Sequence, residues 1–268
     1  MYQFFIETSQ IAEDQIRILG KDVNHMKNVL RMKPGEEIRV TDSETSRSYR
    51  CEVAELYEET IVCHILAEEE EGSELPVRIY LFQGLPKADK MELIIQKAVE
   101  LGVYEIIPVA TKRAVVKLDA KKAEAKQKRW QSIAESAAKQ SRRNIIPHIH
   151  EVVKFGQAVD YAKNLDITLI PYELAEDMEK TKQIFETIQP GQSIGIFIGP
   201  EGGFDESEIA LAQENGISPI TLGKRILRTE TAGMAVLSVL WAFCEMLLPE
   251  GRQRRAVRLT VSLMLRMI

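Results

Sequence analysis

Residues 1–70 read as mostly short strands, in which apolar positions alternate with polar ones or are β-branched. Glu37-Ile38-Arg39-Val40-Thr41, Ser48-Tyr49-Arg50-Cys51-Glu52-Val53 and Thr60-Ile61-Val62-Cys63-His64-Ile65 place apolar or β-branched side chains on one face, which predicts strands. Pro34-Gly35 marks a turn. One helix fits over 23–32, with Asp22 as its N-cap. Short strands in this density predict a small, partly open β-barrel. The acidic stretch Glu68-Glu69-Glu70-Glu71-Gly72-Ser73 then reads as a linker.

The remainder alternates two periods. Strands are expected at 77–83, 106–109, 145–153, Ile167–Pro171, Ser193–Ile198 and 218–222. Helices are expected at 90–101, stopping at Gly102, at Ala120–Ser141, at 206–215 between an Asp205 N-cap and a Gly216 C-cap, and at 231–248. Strand–helix alternation at this spacing predicts a mostly parallel sheet with helices on its faces, an α/β domain. The expected division is 1–72, 73–248 and a tail at 249–268.

Composition narrows the class. At 268 residues and 45% hydrophobic content the chain can bury a sizeable core, and no run of 18 apolar residues suggests a membrane span. Met1-Tyr2-Gln3-Phe4-Phe5-Ile6-Glu7 is too short and too acidic for a signal peptide. Three widely spaced cysteines, Cys51, Cys63 and Cys244, point to a reducing cytoplasm rather than to disulfides or zinc. His148 and His150 share a strand face without a third ligand, so no metal is expected. Net charge is −5, yet residues 84–148 carry 14 Lys/Arg against 7 Asp/Glu, a basic island in an acidic protein. Such a patch concentrates polyanions whatever the total charge. Lys121-Lys122-Ala123-Glu124-Ala125-Lys126 reads as a solvated helix face, while Lys139, Arg142 and Arg143 are less easily read so.

Two segments carry the chemistry: Ile198-Gly199-Pro200-Glu201-Gly202-Gly203-Phe204 and Leu222-Gly223-Lys224-Arg225-Ile226-Leu227-Arg228-Thr229-Glu230-Thr231-Ala232. Each follows a strand and opens a helix, where α/β proteins bind small ligands. Neither has the spacing of a dinucleotide or nucleoside-triphosphate loop. Two neighbouring strand ends with exposed amides suit an adenine held by main chain.

These segments resemble the SPOUT class of methyltransferases and, within it, the family of ribosomal RNA small subunit methyltransferase E (RsmE). Further support comes from His25-Met26-Lys27-Asn28-Val29-Leu30-Arg31 with Pro34-Gly35, from Lys87 through Lys97 into Glu100-Leu101-Gly102-Val103, from Arg129-Trp130, and from Gln140-Ser141-Arg142-Arg143 with Ile146-Pro147. The match runs to about Leu248. The resemblance implies a PUA-like β-barrel followed by a SPOUT α/β domain with a C-terminal deep trefoil knot that holds S-adenosyl-L-methionine. It implies a homodimer and methylation of uracil N3 at position 1498 of 16S rRNA; the basic island and barrel suit a folded surface of the assembled small ribosomal subunit, with naked RNA left open as substrate. Another rRNA or tRNA nucleotide, a ribose hydroxyl included, and a catalytically silent RNA-binding assembly factor are the alternatives.

Carried onto this sequence, the resemblance implies cofactor contacts from Pro171, Tyr172 and Glu173, from Ile198, Gly199, Pro200, Glu201, Gly202 and Gly203, and from Leu222, Gly223, Ile226 and Leu227. Methyl transfer from a sulfonium is mainly a matter of position. Arg228 is the candidate to hold a uracil carbonyl as charge develops, with RNA phosphate as the alternative partner of Arg225 and Arg228. Glu201 or Glu230, with a raised pKa, is the candidate proton acceptor; Glu230 equally suits a helix N-terminus. RNA contacts are expected from His25, Lys27, Arg31, Lys87, Lys90, Arg113, Arg142, Arg143 and Arg225, with Lys27 and Arg31 on one helix face. Beyond Leu248 the sequence departs from the family pattern; an added edge strand, a disordered tail and a reading-frame artefact all fit.

Overall fold

The period of two builds the first sheet. In the computed structural model, which describes residues 1–69, 72–175 and 177–248, the strands are β1 (Tyr2–Ile6), β2 (Ile11–Ala12), β3 (Gln15–Leu19), β4 (Glu37–Asp42), β5 (Ser48–Leu56) and β6 (Thr60–Glu69). They pair in the order β1-β4-β5-β6-β3-β2. β1 and β4 run parallel, and the other neighbours antiparallel. Alternate residues such as Ile16, Ile38, Val40, Val53, Ile61 and Cys63 meet in one buried core.

The helix expected over 23–32 is built differently. It starts at Lys21 behind Gly20, whose φ is 68°, so Asp22 lies inside the first turn and is not the cap. After α1 (Lys21–Asn24) the chain widens into a π-helical turn over His25–Val29. Arg31 follows with φ 55°, outside the helix. Lys27 and Arg31 therefore do not share a helix face, because the wider turn and the left-handed residue break the 3.6-residue period.

The described chain divides into two units, Met1–Glu74 with Ala138–Ile146, and Leu75–Ala137 with the residues from Pro147 onward. The sequence reading put 138–146 with the second domain. Buried polar contacts draw it into the first. Gln3 donates to the Arg143 carbonyl at 2.6 Å, Arg39 to the Arg142 carbonyl at 2.7 Å, and Asn144 to the Ser46 carbonyl at 2.9 Å. Glu74 accepts the Asn144 and Ile145 N–H groups at 2.8 and 3.2 Å and pairs with Arg143.

The second unit comprises β7 (Arg78–Gly84), α2 (Lys90–Glu100), β8 (Val103–Ala110), α3 (Ala120–Ser141, up to Ala137), β9 (His148–Ile149), β10 (Val153–Lys154), α4 (Phe155–Ala162), β11 (Ile167–Pro171), α5 (Met178–Glu186), β12 (Ser193–Ile198), α6 (Glu206–Glu214), β13 (Ser218–Ile220) and α7 (Thr229–Met246). Its strands run in the order β10-β8-β7-β12-β11-β13, with β9 also on β8, and every pair is parallel. The single strand expected over 145–153 is two short ones. Pro147 has no N–H to give a ladder, and the Ile145 N–H is held by Glu74. β12 is buried at all six positions, which is why it reads as an unbroken apolar run rather than an alternating one. Phe82 and Phe197 stack at 4.3 Å on one face of the sheet. α2 buries Met91, Ile94, Ile95, Ala98 and Val99, a helical stripe that ends at Gly102 with φ 88°. α6 starts with the Asp205–Glu208 capping box and ends before Gly216, φ 83°. Residues 249–268, including the possible edge strand, lie outside the described residues.

Candidate active site

The sheet's strand order reverses at β7, which has β8 on one side and the later strand β12 on the other. Open parallel sheets bind ligands beyond the carboxyl ends of their strands at such a point. There β7 ends in Gly84, and β12 continues as Gly199-Pro200-Glu201-Gly202-Gly203. A Cβ on Gly84 would stand 2.6 Å from Pro200 Cδ and 2.7 Å from Pro200 N. A Cβ on Gly199 would stand 3.2 Å from Gly203 Cα, and one on Gly202 3.1 Å from Arg113 Cβ. The glycines are thus required for a tight coil of backbone, closed by the Gly203 N–H on the Pro200 carbonyl at 2.9 Å.

The other two loops leave neighbouring strands at the same edge. Pro171 pairs with Ile220, and the Tyr172 N–H donates to the Ile220 carbonyl at 3.0 Å, lacing the first loop to the third. Glu173 is exposed and Leu174 is 72% exposed. Gly223 takes φ 95° and its N–H reaches Thr221 Oγ1 at 3.2 Å. Leu222 and Leu227 are half-buried, whereas Ile226 is 89% exposed. The backbone N–H groups of Leu222, Ile226 and Leu227 make no hydrogen bond to another described residue. Arg228 is the N-cap residue of α7, which begins at Thr229, two residues before the expected start. The Arg225 and Arg228 side chains are exposed and pair with no other described residue.

Lys90 joins the two candidate acids. Its Nζ lies 3.0 Å from Glu201 Oε1 and 3.3 Å from Glu230 Oε2. The Lys87 N–H also donates to both Glu201 oxygens at 3.2 Å. The hydrogen bond to Glu201, opposed by burial and aided by Glu230, raises the Lys90 ammonium above its ordinary value. Burial pushes the Glu201 carboxyl up, but its own backbone N–H, Lys90 and the Lys87 N–H outweigh burial and hold it below the ordinary carboxylate value. This is the reverse of the raised pKa asked of a proton acceptor, so the geometry speaks against Glu201 in that role. Lys90 is engaged with carboxylates rather than offered to phosphate.

The remaining cations separate in the same way. Arg113, which a Cβ on Gly202 would meet, faces Asp205 at 3.6 Å, and Lys87 is exposed. In the first unit His25, Arg31 and Arg142 are exposed, while Lys27 donates to the Tyr57 carbonyl at 2.9 Å. Arg143 is 4% exposed and paired with Glu74, so it is a structural residue rather than a surface cation. Among the described residues no three His, Cys, Asp or Glu side chains group as metal ligands would, and no helix is long and apolar enough to cross a membrane. His148 lies beside His150, which pairs with Glu105 at 2.6 Å.

Sequence reasoning missed two residues. Gln83 and Thr229 are buried beneath the glycine loop, with Gln83 Nε2 on Thr229 Oγ1 at 2.9 Å and Thr229 Oγ1 on the Gly199 carbonyl at 2.6 Å. The one available signal was a Gln amid the apolar β7 run.

The RNA methyltransferase domain family matches residues 73–241, and the RNA methyltransferase PUA domain family matches residues 18–66. The ribosomal RNA small subunit methyltransferase E of Bacillus subtilis is 38% identical over 247 residues, 90% of this chain and 96% of its own length. That of Mesomycoplasma hyopneumoniae is 36% identical over 238 residues, 89% of this chain and 98% of its own. The crystal structure of a ribosomal RNA small subunit methyltransferase E from Neisseria gonorrhoeae bound to S-adenosyl methionine superposes with a TM-score of 0.78 at 32% identity, covering 90% of this chain and 96% of that one. With its PUA-like N-terminal part and its α/β methyltransferase domain, the chain belongs to the ribosomal RNA small subunit methyltransferase E family.

Proposed function

We propose that the chain transfers a methyl group from S-adenosyl-L-methionine to uracil N3 in the 16S rRNA of the small ribosomal subunit. The observation that carries this reading is the set of three loops at one sheet edge in a chain whose Neisseria gonorrhoeae relative binds that cofactor. The residues present fit such a group. The backbone N–H groups of Leu222, Ile226 and Leu227, unpartnered among the described residues, suit an adenine edge, and exposed Ile226 and Leu174 offer apolar cover. Pro171–Glu173, Ile198–Gly203 and Leu222 to Leu227 would hold it. When bound, it supplies an electrophilic methyl on a sulfonium.

The chain's own work is then to orient the base and manage its charge. Arg228, exposed beside the third loop, holds a uracil carbonyl and stabilises the negative charge that grows there as N3 loses its proton. Glu230, on the first turn of α7 and at the longer distance of 3.3 Å from Lys90, is the proton acceptor in this reading. Glu201 stays ionised and fixes Lys90 and the Lys87 N–H instead. Lys87, Arg113, Arg142 and Arg225, with His25, Lys27 and Arg31 of the PUA-like part, bind RNA phosphates. The SPOUT knot, a homodimer and action in the cytoplasm on assembled subunits belong to the same reading. Small residues on α7, Gly233, Ala235 and Ser238, support close packing there.

The test adds the full chain and methyl-labelled cofactor to small subunits lacking the modification, and identifies the labelled nucleoside by mass spectrometry. The expected product is 3-methyluridine. A labelled 2′-O-methyl nucleoside moves the substrate to ribose. Cofactor binding with no label on any RNA refutes methyl transfer to the subunit.

A further inference from the structure

Gln83 and Thr229 stand 146 positions apart in sequence and meet under the loop that follows β12. We infer that they are positioning residues: the pair ties the Gly199 carbonyl to the start of α7, and so fixes the distance between the cofactor loop and Arg228. This inference rests on the function proposed above and deepens it.

Gln83 is fully buried. Its amide nitrogen donates to the Gly84 carbonyl at 3.0 Å and to Thr229 Oγ1 at 2.9 Å, which uses both hydrogens. A flipped amide would put an oxygen against the Gly84 carbonyl, so the orientation is determined. The Thr229 hydroxyl hydrogen then goes to the Gly199 carbonyl at 2.6 Å. One directed chain of hydrogen bonds thus joins β7, the first residue of α7 and the first residue of the glycine loop. Arg228 and Glu230 flank Thr229, so any displacement of Thr229 moves both.

The arrangement has a stability cost. Gln83 Oε1 is buried without a hydrogen-bond partner among the described residues. A buried acceptor left alone is unfavourable, and an apolar side chain of the same length would avoid it. The amide donor, which serves the Gly84 carbonyl and Thr229 Oγ1, is what the site uses.

The experiment measures S-adenosyl-L-methionine affinity by calorimetry and melting temperature by circular dichroism, on the full chain. Gln83→Met removes both the donor and the stranded oxygen. Because the Gly84 carbonyl and Thr229 Oγ1 lose that donor as the stranded oxygen goes, its melting temperature is expected to fall by no more than roughly 2–4 °C, while it binds the cofactor roughly tenfold more weakly. Thr229→Val should also bind roughly tenfold more weakly, and Thr229→Ser, which keeps the hydroxyl, should stay within about twofold. Should Thr229→Val not fold, Gln83→Met and Thr229→Ser carry the test. A Gln83→Met chain that melts lower yet binds normally would show a purely structural role and overturn the inference, as would Thr229→Ser binding roughly tenfold more weakly than the unaltered chain. Failure of the unaltered chain to bind the cofactor overturns the proposed function and this inference with it; normal binding by every variant overturns this inference alone.

Discussion

Replacing Gly84 by Ala puts a methyl group where β7 and the glycine loop touch. Its Cβ would meet Pro200 Cδ at 2.6 Å and Pro200 N at 2.7 Å, against ordinary contacts of 3.4–4 Å. The φ of Gly84 is not in the left-handed region, so Ala can adopt the backbone and the effect is steric. One of the two contacts is backbone, so Pro200 must retreat by about 1 Å rather than turn a side chain away. Overpacking of this kind costs about 1–3 kcal/mol, and for a chain of this size each kcal/mol lowers the melting temperature by roughly 2–4 °C. The expected fall is roughly 2–12 °C. Moving Pro200 also moves Gly199 and Glu201, which would hold the cofactor, and each 1.4 kcal/mol of lost contact is about tenfold in affinity. Cofactor affinity, measured by calorimetry, should therefore fall roughly 10- to 100-fold. Gly156→Ala is the control: Gly156 lies in α4 with nothing within 4 Å of its Cβ position, and should change affinity not at all. Unchanged melting and unchanged affinity in Gly84→Ala would refute the close packing of strand end and loop.

Three further outcomes are expected. Arg228→Ala should keep cofactor affinity and lose roughly 100- to 1000-fold in methyl transfer; a normal single-turnover rate removes Arg228 from the mechanism. Asn144→Ala should destabilise the first unit by about 2–3 kcal/mol in urea unfolding, because the Ser46 carbonyl and Arg39 lose buried partners, and a loss below about 0.5 kcal/mol would contradict the docking of 138–146. For Glu105, burial raises the carboxyl, but hydrogen bonds from His150 and Tyr161 and the nearby charge of His150 and His148 win and lower it below 4.5. Its contribution is complete above that ordinary value and is lost as pH falls through the lower folded value. Glu105→Gln should therefore flatten the acid limb of the melting-temperature profile, and an unchanged limb would show that Glu105 does not set it.

The parts of this protein that sequence reveals are those set by local chemistry. Asp205 and Gly216 bound α6 because a capping carboxylate and a left-handed residue act within one turn. The apolar stripe of α2 and the glycine-rich coil after β12 are equally local. What escaped depends on distant partners. Arg143 looked like a surface cation because Glu74, 69 positions away, cannot be seen from its neighbours. Lys90 reads as a free cation until folding brings Glu201 and Glu230 to it, and the same contact reverses the expected shift of Glu201. The π-helical turn at His25–Val29 leaves an apolar spacing that an α-helix also fits. The apolar run after Asn144 looked like one strand because its N–H groups gave no hint that Glu74 would take them.

The most direct test of the central claim, that three loops at one sheet edge form a single cofactor site, is amide hydrogen exchange on the full chain with and without S-adenosyl-L-methionine. Slowed exchange is expected together in peptides covering 171–174, 199–203 and 222–228, with the six-stranded N-terminal sheet unchanged. Slowing confined to one of those loops, or found at another part of the chain, would contradict the site as described.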